Sequence, residues 1–96
     1  MAQVIIQPKN ADNLKSLVKT AVENQMRVLS YGIAKTKRKL EELEKETGLD
    51  SRDFYKKFRK GELGDDFKYI RWAGEYETLE QLQRDFNDLQ EAELCS

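Results

Sequence analysis

The side chains here that could do chemistry are carboxylates, cations and one thiol. Eighteen Asp and Glu, seventeen Lys and Arg and a single cysteine, Cys95, stand in 96 residues without a histidine. Lacking imidazole, the chain has neither the commonest general base nor the commonest neutral metal ligand, and thiol–imidazole pairs and His/Cys zinc sites are excluded. Carboxylate chemistry is what is left. The adjacent acids Asp65 and Asp66, and Glu75 with Glu77, could hold a divalent cation only with further ligands, and no second ligand motif or glycine-rich phosphate loop accompanies them. Asp65-Asp66 reads instead as a helix cap, where carboxylates accept from free backbone N–H groups. The lone Cys95 excludes an internal disulfide and reads as a tail residue without a role. The expectation is a protein that is not an enzyme, with no catalytic residue, no metal site and no cofactor.

The cations form two runs. Lys35, Lys37, Arg38 and Lys39 make the first, and Lys56, Lys57, Arg59 and Lys60 the second, beside Phe54, Tyr55 and Phe58. Basic residues interleaved with aromatics are the composition that grips phosphates and stacks on bases, so these eight are the candidate nucleic-acid contacts. An isoelectric point near 5.5 and the helical spacing of the aromatics favour a core-facing reading of the rings. Residues 1–60 carry 14 Lys/Arg against 8 Asp/Glu, and residues 61–96 carry 3 against 10, so an antiparallel fold would lay charges of opposite sign side by side.

What must position these groups is a helix. Val22, Met26, Leu29, Ile33, Thr36, Leu40 and Leu43 step 4-3-4-3 along the chain, the period of a packed helical seam. Residues 11–47 contain no proline and one glycine, Gly32, so the spacing predicts one helix of about 54 Å, too long for a compact domain of this size, whose radius of gyration would be near 13 Å. Gly48, with Asp50 or Ser51 as a new cap, predicts a bend and a short helix over 51–59. Asp65 and Asp66 open a third helix to about residue 93. Its Trp72, Leu79, Leu82, Phe86 and Leu89 match the first seam, widened near the bend by Tyr69, Ile70, Ala73 and Tyr76. Folding back predicts layers of Leu40 with Trp72, Ile33 with Leu79, Leu29 with Leu82, Met26 with Phe86 and Val22 with Leu89. Lys37 with Glu41 and Arg38 with Glu42 are spaced to pair along the first helix. The expected fold is all-α: a long antiparallel helical hairpin with a short helix at the bend, residues 10–96, preceded by a short N-terminal β-strand, residues 1–9, used in pairing.

That strand is read from Val4, Ile5 and Ile6, stopped by Pro8. A lone strand must pair with another chain. In the predicted register the third helix runs out opposite residue 19 or 20, leaving Leu14, Leu17 and Val18 uncovered together with Val4, Ile5 and Ile6. Six aliphatics left in water each forgo roughly 1.5–3 kcal/mol of burial, which makes this patch the candidate surface for a protein partner or a homodimer. A strand followed by a helix also opens ribbon–helix–helix DNA readers, but there the first helix stops after three or four turns, whereas this seam runs on to Leu43.

From Gly32 to Gln83 the chain resembles a group of small prokaryotic helical proteins of the antitoxin type. The marks are Gly48, Leu49 and Ser51 after a long helix, Phe54 and Phe58 in a short one, the run Gly61 to Asp66, and Trp72 in an aromatic-rich final helix. The resemblance implies a protein that neutralises a small toxin by direct contact and has no catalytic residues of its own. Two other readings stand beside it, a small nucleic-acid-associated regulator and a structural homo-oligomer. No apolar run of 18 residues is present, and the opening MAQVIIQ is too short and too weakly charged for a signal peptide, so a cytoplasmic protein with no membrane partner and no small-molecule substrate is expected.

Overall fold

The computed structural model describes residues 11–95, which form three helices: α1 (Ala11–Thr47), α2 (Ser51–Arg59) and α3 (Phe67–Cys95). Long α1 and α3 pack against each other with α2 folded over their junction, giving an all-α hairpin 59 × 28 × 21 Å in extent with a radius of gyration of 18.9 Å. No strand occurs among the described residues, and the strand predicted at Val4, Ile5 and Ile6 lies outside them.

The seam packs as its spacing requires. All seven positions are buried or half-buried, Leu29, Thr36 and Leu40 most completely, while most of the rest of α1 faces solvent. Opposite them, Trp72 and Ala73 are buried and Tyr69, Tyr76, Leu79, Leu82, Phe86 and Leu89 half-buried. Leu40 and Trp72 share one core cluster, as the predicted register has them. Leu82 lies over Gly32, where an added Cβ would come within 3.3 Å of its Cδ1, so the missing side chain is what lets this leucine settle onto α1. Ile70 does not join the seam. It points away, 48% exposed, because only one of the neighbouring positions Tyr69 and Ile70 can face α1, and Tyr69 takes that place beside Phe54.

The bend is where packing is tightest. Phe54 and Trp72 are the largest fully buried side chains, and their rings stack 3.8 Å apart at 4°. That face-to-face overlap is closer than the usual 4.5–7 Å between aromatic centroids and is not what ring quadrupoles prefer; enclosure by Leu43, Leu49, Phe58 and Leu63 holds it in place. The buried indole Nε1 donates to Ser51 Oγ at 2.9 Å, and the Ser51 backbone N–H donates to Glu44 Oε2 at 2.7 Å. One serine thus ties α1, α2 and α3 together.

The ends of the helices follow from their caps. α1 stops at Gly48, whose φ of 71° leaves the helical region. Asp50, not Ser51, caps α2, accepting from the Arg52 N–H at 3.4 Å, because the serine hydroxyl is committed to Trp72. α2 ends in paired reverse bonds, Gly61 N–H to Phe58 O and Glu62 N–H to Lys57 O, a Schellman closure that needs the positive φ of Gly61. Asp66 caps α3 through Lys68 N–H at 3.0 Å, as the Asp65-Asp66 pair predicts, and the helix runs from Phe67 to Cys95, two residues past the expected end. The ion pairs run between the long helices, Lys39 with Glu75 at 3.4 Å and Lys68 with Glu46 at 3.1 Å, in place of the predicted Lys37–Glu41 and Arg38–Glu42 pairs along α1.

Ser51→Ala leaves the buried indole N–H without an acceptor and is expected to lower stability by about 1–3 kcal/mol in urea unfolding. Adding Trp72→Leu should make the serine substitution nearly silent, since the orphaned donor is then gone. Full additivity of the two changes would remove the bond from the account of the bend.

Candidate protein-interaction surface

Two regions of the hairpin contrast in how completely they are covered. Around the bend three helices enclose the aromatic cluster; at the open end, among the described residues, α1 and the last turns of α3 lie side by side. There Leu17 is 57% and Val18 51% exposed, and Leu14 is half-buried. A shallow groove of about 490 Å³ runs between Lys15, Val18, Lys19 and Val22 of α1 and Ala92 of α3. Ala92 of α3 thus stands across the groove from Val18 and Val22, and Leu14 is half-buried while Leu17 and Val18 stay open. Val4, Ile5 and Ile6, the remaining members of the candidate patch, lie outside the described residues.

The basic residues divide according to their helices. Lys35, Lys37, Arg38 and Lys39 are all exposed, but at 100° per residue Lys35, Arg38 and Lys39 fall within about 100° of one another on one side of α1 while Lys37 points to the opposite side, and Lys39 is engaged with Glu75. Lys56, Lys57, Arg59 and Lys60 are also exposed and do share a face, the side of α2 turned away from the core. The aromatics beside them are occupied. Phe54 stacks on Trp72, Phe58 lies 5.8 Å from Phe54, and Tyr55 stacks on Tyr76 at 4.8 Å, so these rings serve the core and the α2–α3 contact.

Three of the four candidate carboxylates have structural posts. Asp66 caps α3, Glu75 pairs with Lys39, and Glu77 accepts the Tyr55 hydroxyl at 2.8 Å; Asp65 is exposed beside the cap. Among the described residues no three acids or thiols gather into a group able to hold a metal ion, and no helix is long and apolar enough to cross a membrane.

The largest exposed apolar side chains include three that the core-centred reading passes over, Val28, Tyr31 and Phe67, and Ile70, which it places in the seam. Val28 is 63% and Tyr31 77% exposed on the outer side of α1, and Phe67 is 71% exposed on α3 with Arg71 placed 5.9 Å over its ring, next to exposed Ile70. For Val28 and Tyr31 a signal was present. Leu17, Ala21, Asn24, Val28 and Tyr31 repeat the 4-3-4-3 step on the side of α1 away from α3. The stronger inner seam masks it in a simple count of apolar residues.

The Tyr55 hydroxyl feels its surroundings. The hydrogen bond to Glu77 raises the pKa of Tyr55 above the ordinary value of 10.0, and burial and the Glu77 charge push the same way. The folded chain holds this proton more tightly than the unfolded one, so the contribution is complete below the ordinary tyrosine value and is lost as pH rises through the raised one. Tyr55→Phe should therefore lower the urea midpoint at pH 7 to 9 and weaken its further decline above about pH 10. An unchanged alkaline slope would break the assignment.

Set beside protein-family models, curated proteins and solved structures, the chain matches none of them.

Proposed function

We propose that this chain is a non-catalytic protein-binding module, acting as the antitoxin-like member of a toxin–antitoxin pair, and that the open end of its hairpin holds the toxin. The observation that carries this reading is the exposure of Leu17 and Val18 beside an apolar groove, at the end of the molecule farthest from its aromatic core. The sequence ahead of α1 adds Val4, Ile5 and Ile6, a segment whose composition suits strand addition to a partner's sheet edge. Charged residues at the groove, Asp12, Lys15 and Lys19, would form the polar rim of such an interface. The marks shared with antitoxin-like proteins, from Gly48 to Trp72, lie in the bend and its flanking helices, where they build the scaffold and leave the open end free.

Mixing the purified chain with the product of the adjacent gene should give a complex that co-migrates in size-exclusion chromatography. Leu17→Glu together with Val18→Glu should weaken it at least about tenfold, equivalent to about 1.4 kcal/mol, with helicity by circular dichroism unchanged. A complex of undiminished affinity would move the contact elsewhere.

The coherent cationic side of α2 favours a second reading, a nucleic-acid-associated regulator. In that case Lys56→Glu with Lys57→Glu abolishes a mobility shift of duplex DNA at low salt, and the wild-type shift fades steeply as salt is raised. Absence of any shift at 50 mM salt dismisses it.

A further inference from the structure

The outer stripe of α1 meets the open end at Leu17 and is otherwise separate from both surfaces just described. Leu17, Ala21, Asn24, Val28 and Tyr31 are all exposed and span 15 residues, about 21 Å of helix. The stretch from Ser16 to Ala34 that carries them holds only Lys19, Glu23 and Arg27 as charged residues, in a chain that is 36% charged. Loss of charge combined with exposed aliphatic and aromatic residues is the composition of an interface centre. Tyr31, the most exposed of the large apolar residues, is of a type enriched at binding hot spots.

We propose that this face pairs with the same face of a second copy, α1 against α1 in antiparallel register, with the two-fold axis passing at Asn24. The stripe is self-complementary in that one arrangement. Leu17 then lies opposite the second copy's Tyr31, and small Ala21 opposite its Val28, so a large residue never meets its own kind. Asn24 meets Asn24, whose amide supplies both a donor and an acceptor and can pair with itself, a polar contact of the kind that fixes register in helical pairs. Glu23 and Arg27, which form no ion pair among the described residues, come beside the second copy's Arg27 and Glu23, twice over by symmetry. A parallel pair would instead set Tyr31 against Tyr31, leave Ala21 facing Ala21 across a gap, and turn the flank that carries Glu23 and Arg27 toward the partner's opposite flank, where Val18, Gln25 and Gly32 offer no charge. Charge and size both select the antiparallel form.

Leu17 stands at the margin of this face and of the open end, whereas Val28 and Tyr31 belong to this face alone. Variants at the latter pair therefore test self-association without touching the proposed toxin surface. The test uses the full chain with Cys95→Ser, so that introduced thiols are the only ones. Sedimentation equilibrium at tens of micromolar should show a dimer, and Val28→Asp with Tyr31→Asp a monomer of unchanged helicity. Under mild oxidation Asn24→Cys should cross-link to itself, and Leu17→Cys mixed with Tyr31→Cys should give the mixed disulfide. Leu17→Cys alone should not couple, since its two copies stand about 21 Å apart, beyond disulfide reach. A chain that stays monomeric, a Val28→Asp/Tyr31→Asp variant that still dimerises, or self-coupling of Leu17→Cys as fast as that of Asn24→Cys overturns the proposal.

Discussion

The fold depends on one buried contact, the Phe54–Trp72 stack with the indole N–H held by Ser51. A two-helix hairpin of this length has no intrinsic reason to bend where it does, and two amphipathic helices can slide by a turn with little loss of apolar contact. The stack removes that freedom. Phe54 belongs to α2 and Trp72 to α3, Ser51 hangs from Glu44 of α1, and Leu40 packs into the same cluster. Once Trp72 is seated, every later layer of the hairpin is counted from it, and the cross-helix pairs Lys39–Glu75 and Lys68–Glu46 fall on the same register. Those exposed ion pairs contribute little by themselves, each well under about 1 kcal/mol. They record the register more than they enforce it.

Burial declines away from this point. The fully buried large side chains lie at the bend, Leu29 and Thr36 are buried farther along α1, and toward the open end Met26 and Val22 are only half-covered. A two-helix layer cannot enclose a side chain as three helices do, so the taper follows from the architecture. Stability concentrated at one end leaves the other freer to adapt, the division of labour on which the binding role proposed above relies.

Much of this was legible in the residues because helix period and cap chemistry are local. The 4-3 steps from Val22 to Leu43 mark the buried face of α1, and the bounds of α1 and α2 follow from Gly48, Asp50 and Gly61. What escaped depends on choices made in three dimensions. Tyr69 and Ile70 are both apolar neighbours, and only the position of Phe54 decides which one turns inward. Ser51 is as good a cap as Asp50 by type, until Trp72 claims its hydroxyl. Lys39 is spaced for partners on its own helix but finds Glu75 on the next. The outer stripe of α1 was hidden for a different reason: its period equals that of the inner seam, and the shared apolar count hides two faces in one pattern. Of the candidate interaction residues, Leu17 and Val18 lie open and Leu14 is half-covered, whereas Val4, Ile5 and Ile6 fall outside the described residues.

The length of the molecule also insulates its two ends. Val18 and Thr47 are 29 residues apart on one continuous helix, a span of roughly 44 Å, against a screening distance of about 8 Å at physiological ionic strength. A charge added or neutralised on the cationic side of α2 is electrically invisible at the open end. Any communication between them must be mechanical, transmitted along the α1 rod as a tilt or slide against α3, and Gly32 with Leu82 resting on it is the slender waist through which such a movement would pass.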